Sequence, residues 1–167
     1  APDLEAIAEV VGFPCFVKPN SGGSSFGVAK VVRFEELKPA LDEALREDSE
    51  AIVERYVKGT EVTCGLMKTG NKFTVFPITE IIPKNEFFDY ESKYTEGKAE
   101  EITPARIPIG LASQCEELAK MIYDLTDCSG MIRSDFIIKG NQIYFLELNS
   151  IPGMSGESII PQQVEKA

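Results

Sequence analysis

Two stretches on either side of Gly140-Asn141 constrain the fold of this chain more than any other feature. Residues 131–139 and 143–149 read as β-strands, in which Arg133 and Asp135 share one face and Glu147 and Asn149 share one face because side chains alternate. A glycine-asparagine turn between two such stretches predicts an antiparallel hairpin. Because successive side chains of a strand point to opposite faces, the register decides whether the polar residues of the two strands meet.

The polar residues of this hairpin are candidates for a metal site. A three-residue turn that starts at Gly140 pairs Asp135 with Glu147 and Arg133 with Asn149. Two carboxylates and an amide oxygen form a set of hard ligands suited to Mg2+, and the carboxylates would repel each other without a cation. The alternative is a solvated face on which Arg133 pairs with one of the acids. The same register predicts an apolar core face that consists of Ile132, Phe136, Ile138, Tyr144, Leu146 and Leu148.

Composition excludes several kinds of chemistry. The 167 residues include no histidine, which removes Ser-His, Cys-His and His-metal sites. The four cysteines are scattered without a CxxC pair, so we expect free thiols in a reducing cytosol rather than a zinc site or disulfides. The net charge of −10 argues against a nucleic-acid or membrane-surface partner, and no stretch approaches the roughly 18 apolar residues of a membrane span. We therefore expect a cytoplasmic protein.

A glycine-serine loop at residues 20–27 has the composition of a phosphate-binding loop. Lys18 precedes it at the end of a predicted strand, and Ser24 and Ser25 add hydroxyl donors to the backbone amides that glycines leave accessible. A second predicted strand follows, so neither the Walker nor the Rossmann arrangement applies. The alternative is a plain flexible turn.

Three further segments carry candidate residues. Glu54 to Val57, at a strand end, has a carboxylate and amides that would read an adenine edge, and Glu61 would accept from ribose hydroxyls; the alternative is solvated charge. Residues 84–106 form a long polar segment, which indicates either a lid whose lysine reaches a phosphate or a surface loop. A glycine-rich loop at 150–156 leads into a helix predicted to start near residue 157, where amides would hold a carboxylate, or where the helix is simply capped.

The remaining pattern indicates an α+β fold, because strands and helices are mixed without strict alternation. The predicted helices cover residues 3–11, 34–47 and 111–126, and the other predicted strands cover 15–18, 28–32, 51–57, 61–67 and 73–82.

Together these motifs resemble D-alanine–D-alanine ligases of the ATP-grasp superfamily. The matching segments lie in the family's order and cover nearly the whole chain: VKPNSGGSSFGV (17–28), IVERYVKGTEVT (52–63), FFDYESKY (87–94), MIRSDFII (131–138) and FLELNSIPGMSGESIIP (145–161). FFDYESKY and ELNSIPGMS are specific to this ligase group, whereas a carboxylate-x-Asn strand end occurs in ATP-grasp enzymes generally.

The resemblance implies an ATP-grasp fold in two lobes of antiparallel or mixed sheets with flanking helices. The smaller lobe would span residues 1–57 with the phosphate loop, and the larger lobe would span 58–167 with the metal hairpin and the lid. The family's amino-terminal domain is missing and its final helix is cut short. We therefore expect the ATP-grasp portion of a longer enzyme, inactive alone, whose full-length form is a homodimer.

The resemblance also implies roles for matched positions. The residues that would bind ATP are Lys18, Ser24, Ser25, Glu54, Arg55, Val57, Glu61 and Lys93. The ligands of two Mg2+ ions, or of Mn2+ in their place, would be Asp135, Glu147 and Asn149. Arg133 and the Gly153 amide would stabilise the tetrahedral intermediate, Ser158 and Ile159 would hold the second D-alanine, and Tyr94 would influence substrate choice. Arg55 stands where the family commonly has a lysine at the adenine ring.

The implied activity is ATP-dependent formation of D-alanyl-D-alanine for peptidoglycan, through an acyl phosphate. Two alternatives stay open: another ATP-grasp ligase that joins a carboxylate to an amine, and a non-catalytic nucleotide-binding module.

Overall fold

A computed structural model describes residues 2–21, 26–83 and 99–167 of the chain. The chain divides into two compact units, Ala1–Val57 and Lys58–Ala167. Each unit combines helices with an antiparallel sheet, and the α+β class predicted from the sequence is confirmed. Among the described residues, no helix is both long and apolar enough to cross a membrane.

The first unit packs two helices against a three-stranded sheet. Its elements are α1 (Leu4–Val11), β1 (Cys15–Pro19), β2 (Ala29–Val31), α2 (Phe34–Glu47) and β3 (Ala51–Arg55). The strands lie in the order β2-β1-β3, and both pairings are antiparallel. Helix α1 begins where Asp3 accepts a hydrogen bond from the Ala6 amide at 3.0 Å. The core of this unit contains Cys15, Val17, Val31, Leu37, Ala40, Leu41 and Ala44.

The second unit is built on a larger antiparallel sheet with a helix on each face. Its elements are β4 (Thr60–Thr69), β5 (Lys72–Val75), β6 (Thr79–Ile82), β7 (Glu100–Ile102), α3 (Ile109–Leu125), β8 (Met131–Lys139), β9 (Gln142–Asn149) and α4 (Ile159–Glu165). The strand order is β7-β6-β4-β8-β9, and β5 also pairs with β4. Helix α3 covers the apolar face, and its core includes Val62, Cys64, Leu66, Leu111, Cys115, Ala119, Ile132 and Phe136.

The other face of this sheet carries the polar side chains. On β4, the register places Thr63 opposite Asp135 and Gly65 opposite Arg133. Helix α4 packs on this face near Gly65, where a Cβ would collide with side chains of α4. The candidate metal residues and helix α4 therefore share one face of the sheet.

The hairpin of β8 and β9 forms, but its predicted turn is wrong. Lys139 pairs with Gln142 around a two-residue turn, in which Gly140 adopts a φ of 59° that favours glycine. This tighter turn alone would shift every pair by one residue. A β-bulge between the Asp135 and Phe136 pairs leaves Leu146 unpaired and restores the predicted register beyond it.

The bulge also changes the core face of β9. Ile143 and Leu148 both pack against the core, which an unbroken alternation does not allow because one number is odd and the other even. The prediction for Tyr144 is wrong: it pairs with Ile137, and its hydroxyl donates to Gln142 at 2.8 Å.

Two other predictions about strands need correction. The single strand predicted over 73–82 is interrupted, so that β5 and β6 pair with different parts of β4. The polar segment 84–106 contains strand β7, which pairs with β6 and extends the sheet. Strand β7 has only three residues, and two of them are acidic, so the sequence shows no strand pattern there.

The close packing around Gly65 provides a test of this arrangement. A Cβ at this position would overlap Gln163 Oε1 and Ile160 Cδ1 and lie 3.0 Å from Phe76. Gly65→Ala should therefore lower the free energy of unfolding by about 1–3 kcal/mol through overpacking, measured by urea denaturation.

Gly110→Ala is the matched control. Gly110 lies near the start of α3, and a Cβ there meets no heavy atom within 4 Å. This variant should be neutral or more stable by up to about 1 kcal/mol, since alanine favours helix. Equal stability of Gly65→Ala and the native chain would contradict the packing of α4 on β4.

Candidate functional site

Asp135, Glu147 and Asn149 meet on one face of the β8-β9 hairpin. Asp135 pairs across the hairpin with Glu147, as predicted. The Asn149 amide nitrogen donates to Asp135 Oδ2 and to Glu147 Oε1, at 3.1 Å in each case. The Asp135 side chain is 11% exposed, whereas the Glu147 side chain is 57% exposed. A buried and an open carboxylate thus converge on one amide group.

Arg133 adds a positive charge to this cluster. Its Nε and Nη2 donate to the two oxygens of Asp135 at 2.9 and 2.8 Å, and Nη2 lies 4.0 Å from Glu147 Oε1. Burial lowers the pKa of Arg133, but hydrogen bonds and charge from Asp135 outweigh it, so the pKa is raised. The ion pair that the sequence left as an alternative therefore occurs within the candidate metal cluster.

Thr63 completes the surroundings of Asp135, and sequence reasoning missed it. The register of β4 and β8 places these residues side by side, and the buried Thr63 hydroxyl donates to Asp135 Oδ1. Thr63 lies in the strand predicted over residues 61–67, but no signal in the sequence identifies which strand neighbours β8.

The donor set of this cluster fits a hard divalent cation. Asp135, Glu147 and Asn149 offer oxygens on one face, and rotation of the Asn149 amide presents its oxygen in place of its nitrogen. Among the described residues, no group of three or more His, Cys, Asp or Glu side chains could hold a metal ion. The candidate site therefore has two carboxylates and needs the Asn149 amide as its third ligand.

Other predicted residues of the second unit lie on this face or in the loop before α4. Glu61 lies two residues before Thr63 on β4, on the same face as Asp135. Ser158 precedes α4, and its Oγ accepts from the Ser155 amide at 3.1 Å. A Cβ on Gly153 would lie 2.9 Å from Ser158 Oγ, so the 150–158 loop brings these two predicted residues together.

In the first unit, the structure joins Lys18 and Glu54. Their side chains lie on neighbouring strands and form an ion pair at 3.0 Å, on the sheet face opposite α1 and α2. The same face holds Phe16, whose ring lies 5.9 Å from that of Tyr56 in an edge-on arrangement. Lys30 Nζ lies 4.1 Å from the centre of the Tyr56 ring. This face of the sheet therefore combines aromatic rings with charged side chains that are held by specific partners.

The described start of the glycine-serine loop is anchored to the chain before β3. The Ser21 amide donates to Asp48 Oδ2 at 2.6 Å, and the Asn20 side chain donates to Glu50 Oε2 at 2.9 Å. The first of these bonds is the main reason that the pKa of Asp48 is lowered. Ser24 and Ser25 lie outside the described residues.

Arg55 lies on the opposite face of β3 from Glu54, because side chains alternate. Its Nε donates to the Val11 carbonyl at 2.9 Å and its Nη2 to the Val10 carbonyl at 3.2 Å. The guanidinium thus binds the end of α1, where a positive charge is favourable. Its role at an adenine ring stays a prediction, as does that of Val57, which follows the strand end.

Lys93 and Tyr94 lie outside the described residues. After that segment, the described chain returns to the sheet through β7 and is fixed by Arg106. The Arg106 guanidinium binds both oxygens of the buried Glu80, at 2.9 and 3.0 Å, and its amide donates to the same carboxylate. The Arg106 hydrogen bond is the main cause of the lowered pKa of Glu80, against the opposing effect of burial.

Comparisons with known proteins agree on one family. The family described as D-ala D-ala ligase C-terminus matches residues 2–167. A D-alanine–D-alanine ligase of Phocaeicola vulgatus is 51% identical over 164 residues, which are 98% of this chain and 50% of that protein. The ligase of Flavobacterium johnsoniae is 50% identical over 161 residues, 96% of this chain and 50% of that protein. The chain thus spans about half the length of these relatives.

Solved structures are similar over the same extent. The VanG D-Ala:D-Ser ligase of Enterococcus faecalis has a TM-score of 0.86 and 35% identity, and covers 97% of this chain and 47% of its own. The D-alanine–D-alanine ligase of Bacillus anthracis complexed with ATP has a TM-score of 0.79 and 30% identity, over 99% of this chain and 52% of its own.

The Glu80–Arg106 ion pair should make the stability of the fold depend on pH. Because the pKa of Glu80 is lowered in the folded state, its contribution to stability is present above its unfolded value near 4.5 and is lost as the pH falls through the folded value. Glu80→Gln should lower the free energy of unfolding at neutral pH, and the difference from the native chain should shrink towards about pH 3.

Urea denaturation between about pH 3 and pH 7 measures this difference. Glu165→Gln changes an exposed glutamate at the end of α4 and should follow the native chain throughout. A pH-independent difference between Glu80→Gln and the native chain would show that the carboxylate charge is not the stabilising element.

Proposed function

The chain belongs to the D-alanine–D-alanine ligase C-terminus family, and from this we propose that it is the ATP-binding and metal-binding portion of an ATP-dependent ligase that joins two D-alanines. The product, D-alanyl-D-alanine, would serve as a precursor of peptidoglycan. The observation that carries the proposal is the cluster of Asp135, Glu147 and Asn149 with Arg133, in a chain whose family match spans residues 2–167.

The proposed enzyme is longer than this chain. Because the chain spans about half the length of its relatives, the remaining half would be an amino-terminal domain of the same protein. That domain would contribute to the first D-alanine site. The two units Ala1–Val57 and Lys58–Ala167 would be the small and large ATP-grasp lobes. We expect the full-length enzyme to act as a homodimer.

Several residues of the chain are proposed to bind ATP. Lys18 would contact the phosphates under the loop that carries Ser24 and Ser25, while Glu54 and Val57 would bind the adenine edge. The ion pair between Lys18 and Glu54 supports this role, because it holds both side chains on the face of the sheet opposite the helices. The other proposed contacts to the nucleotide are Arg55 at the adenine ring, the Glu61 carboxylate and Lys93.

Asp135, Glu147 and Asn149 would hold Mg2+, for which Mn2+ could substitute. When bound, the cation neutralises charge on the phosphates of ATP. Arg133 and Thr63 fix the Asp135 carboxylate through hydrogen bonds to both of its oxygens, so the ligand is oriented before the nucleotide arrives.

The proposed reaction transfers the terminal phosphoryl group of ATP to the carboxylate of one D-alanine. The amine of a second D-alanine, held by Ser158 and Ile159, then attacks the carbonyl carbon, and phosphate leaves. Arg133 and the Gly153 amide would stabilise the negative charge of the tetrahedral intermediate, and Tyr94 would influence the choice of substrate. No histidine is required, since catalysis rests on positioning and electrostatic stabilisation.

Cation binding can be tested on the chain itself. Glu147→Gln removes a charge from an exposed position and leaves the Asp135–Arg133 pair in place. Isothermal titration calorimetry with ATP should detect a Mg2+-dependent gain in affinity that Glu147→Gln weakens at least about tenfold.

Glu165→Gln is the control for this measurement, because it removes an equivalent charge from the exposed end of α4. It should bind ATP and Mg2+ as the native chain does. Unchanged Mg2+-dependent binding in Glu147→Gln would refute the metal assignment, and the absence of ATP binding by the native chain would refute the nucleotide site.

The activity is tested in the full-length protein that contains this chain. We expect ADP release that requires both ATP and D-alanine, with D-alanyl-D-alanine identified by mass spectrometry, and no such turnover by the 167-residue chain alone. The substrate panel includes L-alanine, D-lactate and D-serine, since a D-Ala:D-Ser ligase is among the similar structures. Turnover with a different carboxylate, but not with D-alanine, would assign another ATP-grasp ligase activity; nucleotide binding without turnover would favour a non-catalytic module.

A further inference from the structure

Gln163 is a fully buried polar side chain that the proposed mechanism does not use. It lies on α4 with 0% exposure. Its amide nitrogen donates both hydrogens, one to the Thr63 carbonyl of β4 and one to the Thr79 hydroxyl of β6, each at 3.0 Å. A single side chain thus joins the helix to two strands of the sheet.

The bonds of Gln163 continue in two directions. Thr79, which accepts from Gln163, lies 2.6 Å from the Thr103 hydroxyl, just beyond β7. Thr63, whose carbonyl accepts from Gln163, donates its hydroxyl to Asp135. Gln163 therefore contacts the strand that supports the candidate metal ligand, and it is linked through Thr79 to Thr103.

The space for Gln163 is specific. Its Oε1 is buried without a hydrogen-bond partner among the described residues, and it lies where a Cβ on Gly65 would otherwise be. An unpaired buried carbonyl is costly, and an apolar side chain of the same length would avoid that cost. Anchoring a short helix does not by itself require a glutamine, because Ile160 is also fully buried at the same contact. The hydrogen bonds fix the position of α4 along the strands, which an apolar contact does not.

The residues proposed to hold the second D-alanine lie at the start of this helix. Ser158 precedes α4, and Ile159 is its first residue. Helix α4 spans only Ile159–Glu165, and its buried residues are Ile160 and Gln163. Gln163 is the one of these two that donates hydrogen bonds to the strands, and Gln162 adds a bond to the exposed Glu101 carboxylate of β7. Gln163 lies one turn beyond Ile159, so a shift of its side chain along the sheet moves both residues.

We propose that Gln163 is a positioning residue for the second amino-acid subsite, which it holds in place by fixing α4 to β4 and β6. The inference rests on the proposed function for the identity of the subsite. Gln163 is fully buried, so it acts through Ser158 and Ile159.

The test uses Gln163→Met in the full-length protein, because methionine keeps the length of the side chain and removes both donors. The expected result is a rise on the order of tenfold in the Michaelis constant for the second D-alanine, with kcat and the Michaelis constant for ATP changed less than about threefold. Hydrogen exchange should accelerate at the amides of α4 and stay unchanged in α3. Gln114→Met makes the same change at an exposed position on α3 and should alter neither measurement.

A second pair of variants separates positioning from stability. Thr79→Val keeps the shape of the residue but removes one acceptor of Gln163, and it should raise the same Michaelis constant by a smaller factor even if Gln163→Met does not fold. Leu111→Ala, a buried change on α3, should lower the melting temperature without raising that constant. An active native enzyme in which Gln163→Met or Thr79→Val leaves the constant unchanged, or in which Leu111→Ala raises it equally, would overturn the inference.

Failure of the proposed function has a different signature. If the native full-length protein shows no D-alanine-dependent ADP release, the proposed function and its D-alanine subsite are refuted, whatever the variants do. An active native protein whose Gln163 variants bind the second D-alanine normally removes only the role of Gln163.

Discussion

A buried carboxylate next to an open one is the constraint on which the second unit depends. Asp135 is 8% exposed, and a buried charge without partners costs several kcal/mol. The structure meets this cost with donors from three strands: the guanidinium of Arg133, the hydroxyl of Thr63 and the amide of Asn149. These contacts require β8 to lie between β4 and β9, and they require the bulge at Leu146, because Glu147 and Asn149 would otherwise turn to the other face.

The pairing of individual cations with acids also explains how a chain with a net charge of −10 can be proposed to bind ATP. The relevant quantity is the local charge at the polar faces, because interactions across more than about 8–10 Å are largely screened at physiological ionic strength. Lys18 is paired with Glu54 on one sheet, and Arg133 is paired with Asp135 on the other. Each cation is thus held in place by an acid, and a bound phosphate would gain an oriented partner rather than a mobile one.

Local features of the sequence predicted much of the fold. The bounds of α2 were predicted to the residue, since the spacing of its apolar residues is helical, and the helix predicted over residues 3–11 forms as α1. The pairing of Asp135 with Glu147 was predicted correctly for a wrong reason, because the assumed three-residue turn and the unforeseen bulge have the same effect on register. Turn length and bulges depend on cross-strand packing, to which periodicity is insensitive.

The strand order accounts for what the sequence could not predict. Thr63 becomes a partner of Asp135 only because β4 is the neighbour of β8, and Glu80 meets Arg106 only because β6 pairs with β7. Strand order follows from how many distant segments pack together, whereas alternation reports only which face of a strand is buried.

Gly65, like Gln163, is explained by a contact between segments that are far apart in the sequence. Read alone, Gly65 weakens a central strand, since glycine has the least favourable entropy of folding there. Its reason is almost a hundred residues away in the sequence, where Gln163 and Ile160 of α4 occupy the space of the missing Cβ. Glycine makes β4 less stable at this position, but a larger residue would not leave room for α4. The glycine therefore allows α4 and the loop before it to pack on the polar face of the sheet. The charged cluster is held by strands, whereas α4 and the loop before it are held on the sheet by the buried side chains of Ile160 and Gln163. These contacts therefore set how accurately the loop that carries Gly153 and Ser158 can be positioned.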